Sequence, residues 1–324
     1  MKKILLFLNI FVCFSALLDK VRKDVVNKTI SNLPKRESLD ILKMCIEMSK
    51  AKEAYSLTDL ESAYFAYVWI GQNIEYDNFG DNYRNSSNGA AITYKEGKGG
   101  AIGITGLFNT ICNLLNIESN TVVGITKLRT FNFTQLIKIK EYAWNYILID
   151  NEYYLIDVIM GSYNFVDNRV HKIQSDFYFG LNPEIFIRLH FPNENKWQLL
   201  PKTITKDEFI SMAYLFEDFY TLGLKTITPD AQTFRTREKI TFKLTSDSSF
   251  DDIFKDLEFT FSISGKNEAP EIGDLDIRKI SNGSYQIKEY ISGNCFYYFT
   301  VKNKKTQKSG TLMYFESYIT NNES

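Results

Sequence analysis

The sequence predicts an α+β chain, with a helix bundle packed on an antiparallel sheet followed by a separate all-β, sandwich-like region. Three observations predict it. Apolar residues recur at helical spacing through much of the chain up to Leu115. Two strand-like runs then meet at the polar pair Asp150-Asn151. After Gly223 short alternating strands are divided by turn residues at sandwich-like intervals. At 324 residues the chain is long enough for two medium domains with their own cores, and its 25 Phe and 20 Tyr supply large side chains to fill them.

The elements follow in order. Leu42, Cys45, Ile46 and Met48, then Ala63, Ala66, Tyr67 and Ile70, predict two helices between Ser38 and Asn73, broken near Ser56 and Asp59. The polar stretch from Glu75 to Lys95 reads as a surface loop. Gly97, Gly99 and Gly100 precede a buried helix carrying Ile104, Leu107, Phe108, Ile111 and Leu115 on one face. Strands are expected over Thr121 to Thr126, Tyr142 to Ile149 and Tyr153 to Val158, the last two forming a hairpin. A short helix from Pro183 to Leu189, an extended connector from His190 to Leu200 and an amphipathic helix from Lys206 to Thr221 complete the first region. Strands at Lys239 to Leu244, Leu257 to Ile263, Tyr285 to Tyr290, Phe296 to Lys302 and Gly310 to Tyr318 make the second.

Charge excludes some classes of function. Lys plus Arg number 38 against 39 Asp plus Glu, so no global field points to nucleic acid or to an acidic membrane surface. Lys2 and Lys3 precede an apolar run from Ile4 to Leu18, and Asp19 to Asp24 is charged. This is the shape of a secretory signal, with a cut after Ser15 fitting better than one after Ala16; an uncleaved anchor or a buried helix is the alternative. No later run reaches transmembrane length. The expectation is a secretory or extracellular protein, against a cytoplasmic one tied to division or cytoskeletal machinery. Sequons at Asn27, Asn85, Asn132, Asn282 and Asn322 are compatible with a glycoprotein. Outside the apolar start, Cys45, Cys112 and Cys295 lie far apart in apolar stretches and read as core residues. No cluster has metal-ligand spacing, and the glycines around Gly103 lack the lysine and serine of a phosphate loop, so neither cofactor nor metal is expected.

Four segments read together are more specific: Phe65 to Asp77 (FAYVWIGQNIEYD), Gly99 to Phe108 (GGAIGITGLF), Glu141 to Tyr163 (EYAWNYILIDNEYYLIDVIMGSY) and Phe186 to Phe209 (FIRLHFPNENKWQLLPKTITKDEF). In this order they resemble the papain-type, transglutaminase-like domain, above all its kyphoscoliosis-peptidase and fungal cytokinesis-protein branch. The resemblance covers 55–222 as the transglutaminase-like domain; with the apolar start, the helical periodicity and the alternating strands it completes an expected division into 1–18 (signal peptide), 19–54 (helical segment), 55–222 and 223–320 (β-sandwich-like). It also implies a Cys-His-Asp triad, in which a helix N-terminus lowers the thiol pKa, histidine takes the proton and aspartate orients the imidazole. The matching positions here are Ala101, Tyr142 and Asp157. The family's Thr and Trp after the aspartate are Ile159 and Met160.

Hairpin geometry supports that alignment. If Asp150-Asn151 is a two-residue turn, Ile149 faces Glu152, Trp144 lies opposite Asp157, and Tyr142 is diagonal to Asp157 on the same face. An alanine methyl cannot act as a nucleophile, and Cys112 is eleven residues along the helix, roughly 16 Å away. Thr105 has a hydroxyl but no histidine to activate it. His190 reads as structural and His171 as exposed. Asp157 is either a leftover acid or a buried carboxylate bonded to Tyr142, Trp144 or backbone amides.

The expected function is therefore a catalytically inactive transglutaminase-like protein that binds a peptide or protein, with Gly100, Trp144 and Trp69 as groove candidates. One alternative is a cysteine peptidase or transglutaminase, active or inactivated by engineering; the several departures from the triad speak against a single engineered change. Another is a purely structural surface module led by the β domain.

Overall fold

Twelve consecutive residues, Leu60 to Gly71, are buried on every side of one helix, which marks it as the centre of the first half of the chain. The structure, a computed structural model, describes residues 17–77, 89–129, 137–166, 169–235, 238–265, 271–291 and 293–318. Residues 1–16 of the expected signal segment and the sequons at Asn85, Asn132 and Asn322 lie outside them. The chain forms two compact units. One comprises Met1–Thr126, Lys140–Phe186 and Pro192–Pro201, and the other Lys127–Ile139, Ile187–Phe191 and Lys202–Ser324. Among the described residues no helix is long and apolar enough to cross a membrane.

In the first unit α1 spans Lys23–Ser31, α2 Ile41–Ala54 and α3, the central helix, Asp59–Asn73. The expected break near Ser56 and Asp59 is present: Ser56 takes a left-handed φ of 47°, and Thr58 and Glu61 form a capping box at the start of α3. Glu61 is itself buried. Its carboxylate accepts from Arg22 Nε (2.6 Å) and Nη2 (2.7 Å) and from the Arg22 and Thr58 amides, and these donors hold it down to about 2. Next come β1 (Glu75–Tyr76), α4 (Gly89–Glu96), β2 (Lys98–Gly99) and α5 (Ala101–Leu114). Helix α4 corrects the expected loop. Ala90 and Thr93 belong to a small-residue face that packs on Gly106 and Gly103 of α5, and small residues of this kind are also common in turns.

Strands β3 (Glu118–Arg129), β4 (Ile137–Ile149) and β5 (Glu152–Ile156) lie side by side in one sheet, with β4 and β5 antiparallel. The β4–β5 turn is as expected: Ile149 pairs with Glu152, and Asp150 (φ 53°) and Asn151 (φ 64°) are both left-handed, the geometry of a type I′ turn. There follow α6 (Val158–Ser162), the hairpin of β6 (Tyr163–Val166) and β7 (Arg169–Lys172), α7 (Pro183–Phe186) and β8 (His190–Pro192).

The second unit carries α8 (Lys206–Ser211), β9 (Tyr214–Leu215), α9 (Glu217–Thr221), β10 (Leu224–Thr228), β11 (Thr233–Arg235), β12 (Glu238–Ser246), α10 (Ser248–Ile253), β13 (Leu257–Gly265), β14 (Glu271–Asp274), β15 (Ile277–Ser281), β16 (Ser284–Ile291), β17 (Cys295–Asn303) and β18 (Ser309–Tyr318). One sheet runs β10-β12-β16-β15 and the other β11-β18-β17-β13-β14, with β9 on β18. Phe242 of the first sheet meets Phe299 (5.6 Å) and Phe315 (5.4 Å) of the second, the aromatic centre of a sandwich core. The single helix expected over 206–221 is two short helices. Met212 turns extended, and Tyr214 and Leu215 pair with Tyr314 and Met313, so an apolar run that reads as a helix face is a strand. Ala213, Leu215 and Phe219 join the β core, which thus begins before Gly223.

This unit also buries a lysine. Lys127 is 1% exposed; its Nζ donates to Met212 O (2.7 Å) and lies 4.8 Å from the centre of the Phe209 ring. Beside it Arg188 clamps Asp230 at 2.6 and 2.7 Å, and Asp230 accepts the Ala213 amide at 3.0 Å. Burial, aided by Arg188, brings the Lys127 ammonium down to about 7.

Candidate functional site

Helix α5 is aimed by the short parallel pair β1–β2. Tyr76 pairs with Gly99, and the Asp77 amide donates to Gly99 O at 2.9 Å. Gly100 caps the helix in extended conformation without a side-chain bond, and no acidic residue occupies the first turn. Ala101, the first helical residue, is partly exposed, whereas Gly100 is buried.

The glycines of this turn serve packing. A Cβ on Gly99 would stand 2.5 Å from Thr93 Oγ1, and one on Gly103 only 2.2 Å, so α4 can approach α5 because both positions lack a side chain. Thr105 is buried, and its hydroxyl donates back to Ala101 O (2.9 Å) and Ile102 O (3.1 Å), occupied with its own helix.

Strand β4 presents Tyr142, buried at 4% exposure, whose hydroxyl donates to Asp157 Oδ1 at 3.1 Å. The ladder register ends with Asn145 opposite Ile156. Asp157 then leaves the strand to cap α6, and the same Oδ1 accepts the Ile159 and Met160 amides at 2.9 Å each. The residues that replace the family's Thr and Trp thus hold the aspartate through their backbone, which any side chain permits. Burial pushes the Tyr142 phenol well above its ordinary range, and Asp157, Tyr76 and Tyr178 add to the shift. A neutral phenol therefore stands where an imidazole is expected. It donates a hydrogen bond and cannot serve as a base near neutral pH.

Of the groove candidates, Trp69 and Trp144 are core residues, 2% and 1% exposed, stacked on Tyr94 (6.1 Å) and packed on Phe186 (5.7 Å). They offer no ring face to a ligand, which corrects that expectation; large aromatics in apolar runs fill cores first. Sequence reasoning passed over Asn145. It is fully buried, and its Nδ2 donates to Thr105 O (3.0 Å) and Asn109 Oδ1 (2.7 Å), tying β4 to α5. The available signal was an amide inside an otherwise apolar strand. His171 lies exposed on β7, and His190 is buried in β8. Among the described residues Cys45, Cys112 and Cys295 form no disulfide: Cys112 is fully buried in α5, its thiol pushed far up by burial; Cys45 is pushed up to about 11 for the same reason; Cys295 is half-buried.

A helix N-terminus, a neighbouring antiparallel hairpin and an aspartate at the end of its second strand define the papain-type core of a transglutaminase-like domain. Residues 47–158 match the transglutaminase-like superfamily, and the chain carries such a domain. Kyphoscoliosis peptidase of Homo sapiens is 27% identical over 257 residues, covering 75% of this chain and 38% of that protein. Cytokinesis protein 3 of Schizosaccharomyces pombe is 25% identical over 164 residues, 49% of this chain and 18% of its own. The chain thus spans well under half the length of these relatives. A solved TGase crystal structure is similar over 53% of this chain and 38% of its own, at 17% identity and a TM-score of 0.26.

Proposed function

We propose that this chain is a catalytically inactive transglutaminase-like protein that binds a peptide or protein segment beside the first turn of α5. The observation that carries the reading is the pair of replacements around Asp157. Ala101 stands at the helix start where a thiolate would form, and the Tyr142 hydroxyl fills the partner position on Asp157. Acyl transfer through a covalent intermediate needs a nucleophile and a base within hydrogen-bond reach of each other. The methyl of Ala101 and a buried neutral phenol supply neither. The α5 turn supports the binding half of the reading. Ala101 and Ile102 are partly exposed, no side chain caps the helix, and its first-turn amides favour a carbonyl or carboxylate of a bound segment. The name of one relative, a peptidase, is compatible with a domain that handles polypeptide. Entry to the secretory pathway is part of the proposal, resting on the sequence from Lys2 to Leu18.

The test is peptide selection from a display library against the full chain, followed by affinity measurement on Ala101→Trp. Loss of binding of about tenfold or more for the selected peptides is expected, because the indole covers the α5 turn. Equal affinity for both chains would reject the proposed location.

A further inference from the structure

The outer face of the β10-β12-β16-β15 sheet is a row of cations among uncharged polar groups. In register across the four strands stand Thr228, Lys243, Gln286 and Arg278, each paired with the next. Thr241 faces Lys288 and Lys239 faces Tyr290 on the same side, while the alternate residues Phe242, Leu244, Tyr285 and Ile287 are buried in the sandwich. Lys239, Arg278, Gln286 and Lys288 line a cleft of about 330 Å³ with Asp276. That single carboxylate is held by Arg278 at 2.6 Å. Four cations against one paired acid is a local excess in a chain whose net charge is -1. Lys279 is not part of it, since its Nζ turns to Asp251 at 3.2 Å.

Two further features accompany the charge. Tyr290 and Ile280 are 57% and 60% exposed, large apolar side chains at the borders of the row. Strand β15 is the end strand of the sheet, so the backbone groups on its outer side have no ladder partner from this sheet. Basic residues on an end strand discourage pairing with another basic or neutral edge, and the same residues favour an acidic strand. A sulfated glycan would satisfy the cations yet leave Tyr290, Ile280 and the strand edge without partners. An extended polypeptide engages all three.

We propose that this face binds an extended acidic peptide, which pairs along β15 and sets its carboxylates against Arg278 and Lys288, with Lys239 adding to the positive field behind them. Backbone pairing supplies affinity and the alternating side chains supply selectivity: acidic residues face the cations, and an apolar residue at either end reaches Ile280 or Tyr290. The rim cations are solvent-exposed, so their contribution falls as salt rises. The site lies within the β unit and is independent of the α5 turn.

The test uses the full chain and a fluorescent peptide of about ten residues alternating Glu and Val, followed by anisotropy at about 0.05 and 0.2 M salt. Saturable binding that weakens with salt is expected. The exposed double change Arg278→Glu, Lys288→Glu should weaken it at least about tenfold with an unchanged circular dichroism spectrum. A peptide of the same sequence N-methylated at alternate amides should lose a similar factor, because it keeps the charge and cannot form a ladder. Equal binding of the methylated peptide would overturn strand addition. Binding of a heparin-derived oligosaccharide without binding of the acidic peptide would overturn the choice of partner.

Discussion

The Tyr142 hydroxyl donates to Asp157 Oδ1 at 3.1 Å, and that one oxygen also accepts the Ile159 and Met160 amides at 2.9 Å each. The carboxylate therefore joins the hairpin to α6 as a structural part. Removing it leaves a buried phenol and two amides without their acceptor, so Asp157→Ala should cost about 2–4 kcal/mol. Tyr142→Phe removes one donor and should cost about 1 kcal/mol. Urea unfolding measures both. A Tyr142→Phe loss as large as that of Asp157→Ala would mean that the phenol, not the cap, holds the aspartate.

Glu61 carries the clearest acid dependence. Its folded pKa of about 2 lies below the unfolded value of 4.5, so its ion pair and capping bonds stabilise fully above the unfolded pKa. That contribution is lost as pH falls from 4.5 toward 2. Glu61→Gln should flatten the decline in stability over this interval while lowering stability at neutral pH. Denaturant titrations at several acidic pH values check it; parallel curves for the two chains would contradict the assignment.

Gly103 and Thr93 should behave as a coupled pair. Gly103→Ala forces a Cβ to 2.2 Å from Thr93 Oγ1 and is expected to cost about 1–3 kcal/mol. In a Thr93→Ala background the nearest remaining neighbour is the residue 93 Cβ at 3.5 Å, an ordinary contact, so most of the cost should vanish. A double-mutant cycle measures the coupling. Additive losses would place the clash elsewhere.

How much of this was legible in the sequence follows from what kind of signal each part leaves. Asp150-Asn151 fixed the hairpin register, and that register placed Tyr142 beside Asp157 without any structure. The central helices announced themselves through periodicity and the break near Ser56 and Asp59. Helix α4 did not, because Gly89, Ala90 and Thr93 are selected by close packing on Gly103 and Gly106 and look like loop residues in isolation. The break at Met212 was hidden for the opposite reason: Ala213 to Leu215 suit a helix face as well as a strand, and only pairing with β18 decides. Trp69 and Trp144 were misplaced because an aromatic side chain carries the same signal in a groove and in a core.

Lys127 should give the β unit a basic-side pH dependence. Its folded pKa of about 7 lies below the unfolded 10.5, so below neutral pH both states hold the proton and burial of the charge opposes folding in full. As pH rises from 7 toward 10 the unfolded state binds more protons than the folded one, and stability should increase by on the order of 2–3 kcal/mol. Lys127→Met should abolish this rise. Urea midpoints between about pH 6.5 and 9.5 measure it, below the range where tyrosines titrate; an unchanged slope in the variant would exclude Lys127 as its source.

The central claim is that the fold is kept without the reaction, and restoring the missing groups one at a time tests it most directly. Hydrolysis of peptide and glutamine substrates is to be measured for the native chain, Ala101→Cys, and Ala101→Cys with Tyr142→His. The thiol created at the α5 N-terminus should alkylate at a pH below that of an ordinary cysteine. The native chain and the single variant are expected to turn over no substrate, and only the double variant, with a base beside Asp157, to gain measurable hydrolysis. Turnover by the native chain, or by Ala101→Cys at the rate of the double variant, would contradict the account.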